Sequence, residues 1–124
     1  MSVSFPISNP AEIKSIMLAK LQESMGDMAE DLLPELAPML LEDAPEAFGA
    51  LQQAIDDGAA PRVKELAHTL KGSCASMGIM GLAKICQKIE NLGRNDELTE
   101  ASTWLNHAQA EYVQVKLVLD EYLD

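Results

Sequence analysis

Aromatic residues are scarce in this sequence, with two Phe, two Tyr and one Trp among 124 positions. Leu, Ile, Met, Val and Ala must therefore fill the core, a mixture that suits helices better than sheets. Cysteine is nearly absent too. Cys74 and Cys86 fall far short of a secreted disulfide scaffold, so reduced thiols and a cytoplasmic location are expected. No apolar run approaches about 18 residues, which excludes a helical membrane span. The opening MSVSFPISNPAEI lacks the basic and apolar regions of a signal peptide. Basic residues are few, nine against twenty acidic ones, for a net charge of −11. That balance argues against nucleic acid or an anionic membrane as a partner. Internal repeats, low-complexity tracts and Ser/Gly linkers are missing as well. Residues 1–124 are thus expected to form one domain, with 1–9 as an irregular N-terminal extension. An initiating Met1 and an end within the last helix are what a free-standing protein would show.

What remains is helical periodicity. Asn9-Pro10 reads as a cap and first turn for a helix to about Ser24, with Ile13, Ile16, Met17 and Leu21 inward. A second helical region from about Met28 to Ile55 carries Leu32, Leu36, Leu40, Phe48, Leu51 and Ile55. It also contains Pro34, Pro38 and Pro45, and interior prolines cost about 3 kcal/mol each, so at least one break is expected. Pro61 opens a third helix to about Ser76, and a fourth runs from Ile79 to Leu92 with Leu82, Ile85, Cys86 and Ile89 inward. Asn91-Leu92-Gly93 resembles a glycine cap. Asp96 is placed to cap the last helix, to about Leu123, whose stripe is Leu98, Ala101, Leu105, Ala108, Tyr112, Val115, Leu119 and Tyr122. Short loops make successive helices antiparallel. The expected fold is all-α, an up-and-down four-helix bundle with an additional N-terminal helix.

The negative total hides a positive island. Residues 62–94 hold six basic and two acidic side chains, a local charge of +4, while the remainder carries −15. Within the island, the third helix sorts into two faces. Val63, Leu66, Ala67, Leu70, Cys74 and Met77 share one arc of roughly 100°, and His68 lies about 140–150° from its centre. His68 should therefore face solvent. A solvated histidine is usually idle, but two neighbours argue otherwise. Lys64 and Lys71, at i−4 and i+3, meet His68 across the helix surface. They would partly neutralise an incoming phosphate of roughly −2 charge and favour the neutral, nucleophilic imidazole. Gly72, at i+4, costs about 1 kcal/mol relative to alanine mid-helix, and with Ala75 it clears a floor beside the ring for another molecule.

The run His68-Thr69-Leu70-Lys71-Gly72-Ser73, followed by Gly78, Leu82, Cys86 and Ile89-Glu90-Asn91-Leu92-Gly93-Arg94, strongly resembles histidine-containing phosphotransfer (HPt) domains. Leu41-Glu42-Asp43-Ala44-Pro45-Glu46 looks like the second helix of that family. The resemblance covers the chain from about Glu12 onward. It implies a phosphorelay intermediate of two-component signalling with no autokinase activity. His68 would accept a phosphoryl group from a receiver-domain aspartate and pass it to another receiver. Response-regulator receivers and a hybrid sensor kinase would be its partners, Mg²⁺ would be supplied by the receiver, and the chain would act as a monomer. The resemblance makes Lys71 the phosphate-steadying residue and Gly72 the clearance residue, whereas Lys64 rests on helical geometry. Some members carry Gln where Glu90 stands, near the histidine, and no role is assigned to Glu90.

Three rival readings follow from the residues. A sensor-kinase dimerisation helix usually has Glu after its His, whereas Thr69 follows here and no nucleotide motif fits downstream. A helical module of HPt-like fold that only binds remains an alternative. A metal site of His68, Cys74 and Cys86 would require side chains from opposite faces of one helix to converge, and none is expected. His107 has neither Lys at i+3 nor Gly at i+4 and reads as a surface histidine, while Trp104 reads as partly buried packing.

Overall fold

The computed structural model describes residues 6–123. Its elements are α1 (Pro10–Met25), a 3₁₀ turn (Gly26–Met28), α2 (Ala29–Asp56), α3 (Ala60–Ser76), α4 (Met80–Arg94) and α5 (Leu98–Asp120). The described residues contain no strand, and α2–α5 form the up-and-down bundle, with α1 laid mainly against α5. Residues 6–9 precede the first helix without regular structure, and the rest of the N-terminal segment, residues 1–5, lies outside the described residues. α1 starts where Asn9 accepts a hydrogen bond from the Glu12 amide at 2.8 Å, with Pro10 in its first turn. No helix among the described residues is long and apolar enough to cross a membrane.

The expected break in the second helical region does not occur. α2 is one helix of 28 residues with Pro34, Pro38 and Pro45 inside it. All three prolines sit at exposed positions. Each deprives the carbonyl four residues earlier of its amide partner, and Glu30 and Pro34 are exposed enough for water to replace it. The third orphan, the Leu41 carbonyl, is half-buried and accepts a hydrogen bond from the Tyr112 hydroxyl instead, at 3.3 Å.

The core is aliphatic, as composition requires, but its stripes are shifted in places. On α2 the buried positions are Leu33 and Ala37 where Leu32 and Leu36 were expected, and Ala54 is buried while Ile55 is half-buried. Ile16 is 40% exposed, because α1 buries only the narrow stripe Ile13, Met17 and Leu21. Leu66 on α3 and Leu98, Tyr112 and Tyr122 at the α5 seam are half-buried. Glu111 on α5 is buried at 2% exposure and receives the Ser8 amide at 3.0 Å, fastening the chain ahead of α1 to the bundle.

Two helix ends differ from expectation. Gly93 is not a cap; it lies inside α4, and the left-handed residue after the helix is Asp96, at φ 57°. The Asp96 and Glu97 amides bond back to the Gly93 and Leu92 carbonyls, a Schellman arrangement, which removes Asp96 from the N-cap of α5. Glu97 holds that place without a side-chain cap. Gly93 serves a different purpose. A Cβ there would stand 2.7 Å from the Lys64 amide nitrogen and 3.1 Å from the Ala60 carbonyl oxygen, so the backbones of α3 and α4 touch at this point.

Candidate functional site

Val63, Ala67, Leu70 and Cys74 bury one face of α3, and the opposite face carries His68 into solvent with its side chain 65% exposed. Lys64, Gly72 and Ala75 are exposed beside it, as the helical spacing predicts. The position of Gly72 is open. A Cβ built there meets nothing within 4 Å.

Lys71 is less free than its spacing suggests. Its side chain is only 25% exposed, and its ammonium lies 2.8 Å from Glu90 Oε1 while donating to Gln87 Oε1 at 2.9 Å. Glu90, unassigned from sequence, is the centre of the site. It is buried at 4% exposure on α4, and Oε2 faces His68 Nδ1 at 3.2 Å and Arg94 Nη2 at 3.1 Å. Arg94 also donates to Asn91 Oδ1 at 2.8 Å. Burial alone would raise the Glu90 carboxyl, but the Lys71 ion pair and the His68 contact outweigh it and hold the group below its ordinary value.

With an ionised carboxylate against Nδ1, the contact assigns the ring proton to that nitrogen, because the carboxylate has only lone pairs to offer. Nε2 is then left with its lone pair and directed away from Glu90. Lys64 joins this group by lining a shallow hollow of about 510 Å³ with Pro61, Glu65, His68, Glu90 and Arg94. On the other side of α3, a groove of about 440 Å³ against α2 is lined by Asp43, Glu46, Ala50, Leu66, Thr69 and other residues.

Sequence reasoning missed Glu90, Gln87 and Arg94. The signal was there in part. Glu90 and Arg94 are an i, i+4 pair, and Glu90 flanks the α4 stripe at Cys86 and Ile89, where a side chain meets the adjacent helix. Cys74 and Cys86 are buried free thiols, and the Cys74 thiol is pushed up by its hydrogen bond with Cys86 and by burial. The described residues contain no cluster of metal ligands. His107 is half-buried and stacks edge-on with Trp104 at 5.2 Å, so it is a packing histidine more than a surface one.

The site is thus an exposed imidazole on a helical bundle, backed by a buried carboxylate and framed by lysine and arginine. The model of the Hpt domain matches residues 35–123, and the chain belongs to that family. It is similar to the phosphorelay intermediate protein YPD1 of Saccharomyces cerevisiae, 32% identical over 89 residues, which cover 71% of this chain and 53% of the relative. The chain thus spans about half the length of that curated relative. It is also similar to the crystal structure of histidine-containing phosphotransfer protein B (HptB) from Pseudomonas aeruginosa. There the TM-score is 0.74 and the identity 30%, covering 85% of this chain and 88% of the other.

Proposed function

We propose that this chain is a phosphorelay intermediate whose His68 takes a phosphoryl group from the aspartate of one receiver domain and passes it to another. The observation that carries this reading is the polarised imidazole. Nδ1 donates to Glu90 at 3.2 Å, and Nε2 remains as an exposed nucleophile on a helix whose other face is core. A neutral imidazole attacks phosphorus without first losing a proton, so the chain needs no general base of its own. Lys71, Arg94 and Lys64 place positive charge around the arriving phosphoryl oxygens. The open surface at Gly72 and Ala75 admits the receiver's aspartyl phosphate to within the roughly 3–3.5 Å that in-line attack requires.

Mg²⁺ belongs to the receiver in this scheme, and the chain carries no cofactor. A hybrid sensor kinase feeds the relay, the chain works as a cytoplasmic monomer, and it has no autokinase activity. The names of YPD1 and HptB support the phosphotransfer assignment. The test is incubation with a phosphorylated receiver domain, which should leave an acid-labile label on the wild-type chain, whereas labelled ATP alone should leave none. A module that only binds would acquire no label from the receiver.

A further inference from the structure

The carboxylate of Glu90 has a consequence for the return of the phosphoryl group as well as for its arrival. We infer, resting on the phosphorelay reading of His68, that Glu90 holds the Nδ1 proton in place while Nε2 carries phosphate and so keeps the phosphoryl group easy to pass on. A single oxygen carries the inference. Glu90 Oε2 lies 3.2 Å from His68 Nδ1 and 3.1 Å from Arg94 Nη2, while Oε1 lies 2.8 Å from the Lys71 ammonium. Lys64 and Glu65 are the other charged groups lining the hollow, from α3, facing Glu90 and Arg94 from α4. Lys71 of α3 reaches the site through its ion pair with Glu90.

Attack by neutral His68 leaves phosphate on Nε2 and the proton on Nδ1, a cationic ring. In the onward step an aspartate oxygen of the next receiver bonds to phosphorus as the N–P bond breaks. The N–P electron pair returns to Nε2, and the ring departs as neutral imidazole, its Nδ1 proton never having moved. Loss of that proton to water beforehand would make the departing group an imidazolate anion, a much poorer leaving group. Lys71 and Arg94 push toward that loss, since cations disfavour a protonated ring. The negative charge of Glu90 opposes them. A glutamine at this position would still accept the Nδ1 hydrogen bond and orient the ring, but it would supply no countercharge. Glu90 is therefore a positioning residue whose charge, beyond its hydrogen bond, sets how readily phosphate leaves.

The test is single-turnover transfer from phosphorylated His68 to a receiver domain, from roughly pH 6 to pH 9, across the range where imidazole charge responds to its surroundings. Glu90→Gln should match the wild type at the acid end and fall away as pH rises. It should be about tenfold slower near pH 8, a fold-change that corresponds to about 1.4 kcal/mol of lost support for the protonated ring. Arg94→Gln removes a cation from the same oxygen and should move the fall to higher pH. Damage to the fold would displace both variants the same way. Superimposable profiles for wild type and Glu90→Gln, or displacement of both variants in one direction, would overturn the inference. If Glu90→Gln does not fold, Arg94→Gln against wild type decides, and an unchanged profile there counts against it. Failure of the wild type to take label on His68 would instead sink the phosphorelay reading itself.

Discussion

Tyr112 repairs what Pro45 takes from Leu41. The Leu41 carbonyl on α2 would ordinarily accept from the amide at position 45, which proline lacks, and the Tyr112 hydroxyl on α5 donates to it at 3.3 Å. The Tyr112 ring also meets Phe48 edge-on at 5.5 Å, so one side chain satisfies α2 and packs against it. Tyr112→Phe should lower stability by about 1 kcal/mol, the usual net worth of such a bond. Pro45→Ala restores an amide beneath the carbonyl, so the same Tyr112→Phe change should cost less in that background. Thermal melts of the four proteins form a double-mutant cycle, and equal losses in both backgrounds would refute the repair.

His68→Gln should abolish acid-labile labelling by a phosphorylated receiver while leaving helical content and melting nearly unchanged, because the side chain is 65% exposed. His107→Gln, across the bundle beside Trp104, should still be labelled. The reverse pattern would put the nucleophile in the wrong place.

Two glycines should respond with opposite signs. Gly72→Ala should stabilise by roughly 0.5–1 kcal/mol, since its Cβ meets nothing within 4 Å and alanine loses less backbone entropy. Gly72→Gln should fold yet transfer phosphate steeply more slowly, its side chain standing beside the imidazole. Transfer at the wild-type rate would end the clearance argument.

Gly93→Ala places a methyl 2.7 Å from the Lys64 backbone nitrogen, and helix backbones do not yield as side-chain tips do. A loss of about 1–3 kcal/mol is expected, as for other overpacked sites. Transfer should slow too, because parting α3 from α4 pulls Glu90 off His68. A melt at or above the wild-type temperature would show the contact to be looser than this.

Glu90 also sets a direction for acid stability. Its folded carboxyl lies below the ordinary value, so its stabilising contribution is complete above the unfolded pKa of about 4.3 and is lost as pH falls through the depressed folded value. Urea melts at acid pH should therefore show a shallower decline for Glu90→Gln than for the wild type. Parallel declines would mean that Glu90 is no more stabilised in the fold than in the open chain.

The helices, the solvent face of His68 and the openness of Gly72 were legible because each depends on spacing within one helix. Asn9-Pro10 announced α1 by local capping chemistry, and Pro61 marked the first turn of α3 by the same logic. What escaped was pairwise. Pro45 argued for a break because its remedy sits on α5, 67 positions away at Tyr112. Glu90 had no assignable part because its partners His68 and Lys71 belong to another helix. Gly93 was mistaken for a cap because a glycine near a helix end has two uses, and only the backbone of α3 reveals which applies.

The contact of Gly93 with Lys64 ties α4 to α3 behind the histidine, and α2 contributes nothing to the charged group around Glu90. α2 instead forms one wall of the groove on the opposite flank of α3. Chemistry and outline are thus written on different helices that share a single ruler. Substitutions at Asp43, Glu46 or Ala50 therefore reshape that groove, while the imidazole and its carboxylate keep their spacing.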